Sequence, residues 1–393
     1  MALLRRRSVG RHVVTMSFAR VTGYLPLLVC ACASPSAPGA SVDVPRDPPV
    51  ITQSPAARIV PVNSAAEFTV LATGSGVAYQ WRRNAVPISG ATQSRYTMRP
   101  VAMSDGGVLD VVVANGAGQI ISAPASVRVV SEQGPWRNDQ RIAVGGSATA
   151  FGPFAIWVRQ AGVSSLARLS DGRLIGVFQW FPFDDLAAFD RVAVVFSSDS
   201  GRSWSVPRPI VVTGFPDTLQ RPFDPTITVT ERGQLRVYFT TGRTVNGQPT
   251  GMLGFSSAIS SDGVTYAWEP GMRFQPARSA VDPAVVRWNG AWHLVSPIGT
   301  PAEGAYHAVS ADGLTFTRLE DIPGRSGVAS FIGNLVVVGT ALRFYGGSNQ
   351  GLWYTEFGTS RGWGAPTVLA GIGGGDPALV EAAPGRWVLA VTQ

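Results

Sequence analysis

In the C-terminal two thirds of the chain three aspartates stand directly before prolines: Asp224-Pro225, Asp282-Pro283 and Asp376-Pro377. Each opens a run of apolar residues that reads as a strand. Arg221, Arg278 and Arg325 precede such runs by a few residues, and Asp184, Asp185, Arg243 and Glu303 fall in connections between later strands. If these strand starts converge, the result is a cleft of carboxylates and arginines. Two carboxyl groups facing one another across a bond, one with a raised pKa, supply the base and the acid for cleaving a glycosidic linkage. Asp224 and Asp282 are the candidates for base and modulator, and Glu303 for the acid. Arg221, Arg278 and Arg325 are the candidates for gripping an acidic sugar, with Asp376 and Asp184 lining the cleft. Trp180, followed by Phe181 and Phe183, is the candidate for stacking on a sugar face. A structural role competes with each of these: Asp before Pro commonly starts a strand by accepting backbone hydrogen bonds, and loop arginines are commonly solvated.

The elements that must gather these residues are repeated. Ser197-Ser198-Asp199-Ser200-Gly201-Arg202-Ser203-Trp204 reads as a hairpin turn in which Asp caps the turn, Gly takes positive φ and the aromatic enters the sheet. Shorter forms follow at Ser260-Ser261-Asp262-Gly263-Val264-Thr265-Tyr266 and Ser310-Ala311-Asp312-Gly313-Leu314-Thr315-Phe316. Three such turns, about fifty residues apart, predict repeated β units. Their acids belong to outer hairpins and are structural. Four units are expected at 165–204, 225–266, 283–316 and 328–363. A fifth, at 377–392, has only two strands. A spare strand pair at 141–144 and 154–158 is expected to complete it, so that the ring closes by joining its two ends.

The Ser-x-Asp-x-Gly-x-x-Trp turn and the run Ala167-Arg168-Leu169-Ser170-Asp171-Gly172-Arg173-Leu174 resemble the Asp-box, or BNR repeat, of bacterial sialidases. The Asp-Pro openings and the Ser-x-Asp-Gly-x-Thr-aromatic turns resemble five-bladed propellers of the arabinanase type. The resemblance covers residues 136–393 and implies a β-propeller, five-bladed or, as in sialidases, six-bladed, with a glycosidase-type site at its channel mouth. The arabinanase pattern implies a base carboxylate at the start of the first unit, where this chain has Val163-Ser164-Ser165. The sialidase pattern implies three arginines and a tyrosine nucleophile paired with Glu. Arg168 matches the first arginine, but no Glu is placed to activate Tyr345, and no nucleophile is assigned. The alternative is a non-catalytic propeller that binds carbohydrate or protein, as in adhesion.

Residues 49–131 alternate apolar and polar with turns about every ten residues, as in a β-sandwich. Tyr79-Gln80-Trp81, Asp105-Gly106-Gly107-Val108-Leu109-Asp110-Val111 and Ala114-Asn115-Gly116 resemble the bacterial immunoglobulin-like domain. That resemblance puts Trp81 in the core, with Val70 and Val111 where the inter-sheet cysteines would be and Leu109 where the corner tyrosine would be. Such a domain acts as a spacer or a binding module; with no constellation of acids or His in it, a spacer is expected.

The 393 residues include 45 Gly and 29 Pro, with only 15% charged residues and no long helical periodicity, which favours an all-β chain. All 32 basic residues are Arg. Residues 1–31 read as a secretory signal, Arg-rich and then apolar, followed by a Pro/Ser-rich tether at 32–48. Val29-Cys30-Ala31-Cys32 resembles a lipoprotein box, which implies acylation of Cys32 and membrane attachment through lipid alone. Removing the five arginines of 1–31 takes the net charge from +7 to +2, and no basic stripe for a nucleic acid is left. The expected partner is a carbohydrate or glycoconjugate outside the cytoplasm. No residue spacing calls for a cofactor, and Ca²⁺ in the channel is the one ion left open.

Overall fold

The computed structural model describes residues 47–246, 248–324, 330–348, 350–358 and 362–393. The signal, most of the tether, Cys32 and Arg325 lie outside the described residues. The described chain is all-β; its helical elements are two single-turn 3-10 segments, Met103–Asp105 and Pro135–Arg137.

The N-terminal part is a two-layer β unit. Its larger sheet runs in the order Arg58–Pro61, Ala125–Val130, Gly107–Asn115, Ala78–Arg83, Val86–Pro87. Ala66–Thr69 pairs with Arg95–Met98 in a second sheet. One core joins the layers: Phe68 and Met98 from the small sheet meet Trp81, Leu109, Val111 and Val127 from the large one, with Val70 in the same cluster. Trp81 is fully buried, yet its indole N–H still donates to the Gln93 carbonyl at 2.8 Å. The apolar body therefore packs without leaving a polar atom unsatisfied.

Five further sheets follow, built mainly of antiparallel strands; in the second, Val211–Thr213 adds parallel to Thr265–Phe274. The first holds Ala161–Arg168, Leu174–Trp180, Arg191–Ser197 and Arg208–Pro209, and the second Phe223–Val229, Leu235–Val245, Gln248–Ser260 and Thr265–Phe274. The third holds Ala284–Trp288, Ala291–Pro297, Ala305–Ser310 and Thr317–Arg318, and the fourth Gly333–Val338, Ala341–Ser348, Gly351–Gly358 and Gly362–Trp363. The last sheet combines both ends of the array. Gly375–Ala383 and Arg386–Thr392 are joined by Gln140–Ser147, in register from Gln140 opposite Thr392 to Gly145 opposite Trp387. Ala155–Val158 adds outside Gln140–Ser147. The first strands of the five sheets touch one another in cyclic order, and the long edge of the fifth sheet is thereby covered.

The Ser-x-Asp turns show why the sheets stack. In each, the serine hydroxyl donates to the aspartate, and the aspartate carboxylate accepts two backbone N–H groups beyond it. For Asp199 the donors are Arg202 and Ser203, for Asp262 Val264 and Thr265, and for Asp312 Leu314 and Thr315. The glycine of each turn has positive φ and lies against the preceding sheet. A Cβ on Gly201 would sit 2.7 Å from Val388 Cγ2, and one on Gly313 2.7 Å from the Tyr238 hydroxyl. The aromatic that follows enters the same seam: Trp204 packs on Trp157 with centroids 4.9 Å apart, and Tyr266 joins the core between the first and second sheets. The turn acids thus cement neighbours and stay remote from the channel.

Candidate carboxylate site at the channel mouth

Asp224, Asp282 and Asp376 occupy the same place in three sheets. Each has positive φ, 48°, 54° and 45°, and so does Val163 in the first sheet at 49°. Pairing is interrupted at these points: the register shifts between Phe223 and Thr226, Gly375 and Ala378, and Gly162 and Ser165. A following proline suits such a bulge because it brings no N–H that would need a partner. Aspartate tolerates the left-handed conformation better than most residues; valine at 163 does not, and its strain is held by the surrounding sheet.

These backbone turns bring the three carboxyls within reach of one another's charge, and all three residues remain half-buried. Thr240 Oγ1 accepts the Asp282 N–H at 3.2 Å and hydrogen-bonds the Asp224 carboxylate, which also accepts from the Asp282 N–H. Thr392 donates to Asp376 Oδ2 at 2.9 Å, Gln140 Nε2 donates to Thr392 Oγ1 at 2.6 Å, and the Val163 N–H donates to Asp376. Burial pushes Asp224 up to about 6, with the Asp376 charge adding to it. Burial raises Asp282 well above the carboxylate range, and the charges of Asp224 and Asp376 raise it further. Asp376 is also raised by burial, against the pull of Thr392 and Val163. Three acids that resist ionising together are the arrangement in which protons can be exchanged near neutral pH.

Below them the channel is filled. Asn334 Nδ2 crosses to the Ser164 carbonyl at 2.9 Å, Ser165 Oγ donates to Asn334 Oδ1 at 3.3 Å, and Ser165 and Thr226 share a hydrogen bond of 3.2 Å. A cavity of about 250 Å³ lies past this plug, lined by residues of all five sheets, among them Arg168. Arg168 is therefore at the end of the channel away from the aspartates. Tyr345 is buried and donates to the Ala148 carbonyl at 3.2 Å.

The first sheet, which lacks an aspartate at its opening, gains one from its third strand. Thr240 and Thr392 stand sixteen residues after Asp224 and Asp376, and sixteen after Val163 stands Gln179. Its Nε2 donates to Asp190 Oδ1 at 2.8 Å, and Asp190 forms an ion pair with Arg221. Asp190, Gln179, Thr240, Thr392 and Gln140 all escaped the sequence reading. The repeated sixteen-residue step was the available signal for three of them, Thr240, Thr392 and Gln179.

Other expected residues fall elsewhere. Glu303 is held by Arg278 at 2.5 Å and by the Thr300 N–H at 2.9 Å, which pull it down to about 2, Arg278 first. A carboxyl locked in the ionised state at the surface is the opposite of a general acid. Arg278 is correspondingly engaged. Trp180 packs half-buried beside Phe178, Val158 and Ala161. Phe181 and Phe183 pack with Phe189 and Trp136 against Ile59 and Val130 of the sandwich-like unit. Asp184 is exposed, while its neighbour Asp185 accepts the N–H groups of Ala187 and Ala188. A cleft of about 570 Å³ does lie on the hairpin beyond Thr240, lined by Arg243, Met252, Trp268 and Met272. That volume suits a small-molecule or sugar ligand. Among the described residues no group of three or more His, Cys, Asp and Glu is arranged to hold a metal ion.

No protein-family model matches the sequence, and neither does any curated protein. Among solved structures, the chain is similar to an endo-1,4-β-xylanase from Bacteroides thetaiotaomicron, with 12% identity over 58% of this chain and 90% of that one, TM-score 0.38. It is also similar to a xylan β-1,4-xylosidase from Bacillus halodurans, with 13% identity over 83% of this chain and 56% of that one, TM-score 0.39. A chimeric titin Z1Z2 matches 22% of this chain and 97% of its own at 26% identity, TM-score 0.20.

Proposed function

We propose that this chain is an exported, lipid-anchored protein whose five sheets form a five-bladed β-propeller, and that it binds and hydrolyses carbohydrate at the channel mouth. The observation that carries this reading is the gathering of Asp224, Asp282 and Asp376, each at a positive-φ opening of its sheet and close enough for their charges to act on one another. Asp224 gives up its proton near pH 6, while burial and the neighbouring charges hold Asp282 towards its protonated form. That is the division of labour a general base and a general acid require. Asp224 is then the base and Asp282 takes the acid role first expected of Glu303, with Asp376 setting the local charge. The cleft beside Trp268 offers room for neighbouring sugar units, and Trp268 replaces Trp180 as the stacking surface.

A non-catalytic, carbohydrate-binding reading has its own support: Asp224 and Asp376 bracket adjacent sheets by accepting the N–H groups of Asp282 and Val163. Incubation with sialosides, arabinans and xylans separates the two. Hydrolysis predicts sugar release that Asp224→Asn and Asp282→Asn each abolish. Binding without release, unchanged in both variants, would leave only the second reading.

A further inference from the structure

The cleft on the hairpin beyond Thr240 has more apolar wall than a saccharide uses. Leu219, Val245, Met252, Trp268 and Met272 line a space of about 570 Å³ together with Arg243. The walls are open to solvent: Val245 and Met252 are 60% and 44% exposed, and Trp268 and Met272 are half-buried. Trp268 is braced, because its indole N–H donates to Ser256 Oγ at 2.9 Å and Phe215 packs edge-on to its ring. The facing segment is pinned as well. The Gln220 N–H donates to the Gly242 carbonyl at 2.7 Å, the Thr244 N–H to the Thr218 carbonyl at 2.8 Å, and the Thr244 hydroxyl to the Asp217 carbonyl at 3.1 Å. These bonds fix residues 216–220, the approach to Asp224, along the strand Leu235–Val245. Arg243 is exposed, lines the same cleft and, among the described residues, its guanidinium has no ion-pair or hydrogen-bond partner. Methionine sulfur makes favourable contacts with aromatic rings, and indole stacks on them. A free guanidinium beside such walls is complementary to a carboxylate.

We infer that the cleft binds an aromatic carboxylate, a benzoate-type group whose ring lies among Met252, Met272 and Trp268 and whose carboxylate is taken by Arg243. A space of this size holds the ring and an adjoining sugar unit. The group is then the aromatic aglycone of a glycoside. That attachment rests on the carbohydrate reading of the mouth; the seating of the ring does not.

The test is NMR of the full chain with isotope-labelled methionine methyl groups, assigned with Met252→Leu and Met272→Leu. Met98 and Met103, in the N-terminal unit, are internal controls. The ligands are para-hydroxybenzoate, its neutral analogue para-hydroxybenzyl alcohol, and para-carboxyphenyl glycosides of xylose, arabinose and galactose. The benzoate should cause saturable ring-current shifts at Met252 and Met272 and leave Met98 and Met103 unmoved. Affinity should fall about tenfold for the alcohol, and about tenfold for the benzoate in Arg243→Gln. An unchanged spectrum of the unliganded variant shows that its fold is kept. At least one glycoside should bind more tightly than the free acid. Equal binding would overturn the link to a sugar and assign the cleft to the free acid. No shift at Met252 and Met272 with any aromatic acid, or shifts indifferent to both the carboxylate and Arg243→Gln, would overturn the site. Sugar release that depends on Asp224 and Asp282 would then still leave the carbohydrate reading standing.

Discussion

Asp224→Asn should stabilise the protein while abolishing sugar release, and the stabilisation should depend on pH. Asp224 titrates near 6 in the folded chain against an ordinary 3.8. The folded state therefore binds more protons than the unfolded state between those values, and stability falls as pH rises through that window. At about 1.4 kcal/mol per pKa unit, ionised Asp224 costs the fold about 3 kcal/mol above pH 6. Asparagine removes this cost and keeps an oxygen that can accept from Thr240 and the Asp282 N–H. The gain should be near zero at pH 4 and approach about 3 kcal/mol at pH 8. Calorimetric unfolding of both proteins at unit steps from pH 4 to 8 measures it. A difference independent of pH would refute the raised pKa. Equal destabilisation at every pH would make Asp224 a turn residue that needs its charge.

Gly201→Ala should cost about 1–3 kcal/mol, since its φ of 82° is unfavourable with a Cβ and that atom would press on Val388; a lowered Tm checks this. His293 and His307 are buried against one another at 3.0 Å and both titrate near 4, chiefly because of burial. Unfolding lets them protonate near 6.5, so stability should be intact above that pH and fall by up to about 1.4 kcal/mol per pH unit for each histidine between 6.5 and 4. His293→Phe together with His307→Phe should flatten that part of the stability profile in denaturant unfolding. Trp81→Ala should cost about 3–5 kcal/mol and unfold the N-terminal unit first; hydrogen exchange resolves the two parts, and simultaneous loss of protection would show that they unfold as one.

The repeat was legible because local chemistry set it. A Ser-x-Asp turn needs a short side-chain acceptor and a positive-φ glycine wherever it occurs, so Asp199, Asp262 and Asp312 announce themselves. The Asp-Pro bulges were legible for the same reason. Cross-channel contacts were not: Asn334 reaches Ser164 from a sheet that is not its neighbour, and nothing in either local sequence marks the pairing. Asp190 was missed because it begins a third strand with no motif around it. Glu303 was misjudged because proximity to Arg278 depends on how two loops meet. Phe181 and Phe183 looked like part of a binding platform because their apolar partners, Ile59 and Val130, come from the other part of the chain.

The most direct test of the mouth as a site for proton exchange is a carboxyl-carbon NMR titration of the three aspartates, assigned with Asp224→Asn, Asp282→Asn and Asp376→Asn. The expected result is a midpoint near 6 for Asp224, one raised well above the ordinary carboxylate value for Asp282, and a downward shift of Asp282 when Asp224 is replaced. Three independent midpoints below 4 would contradict it.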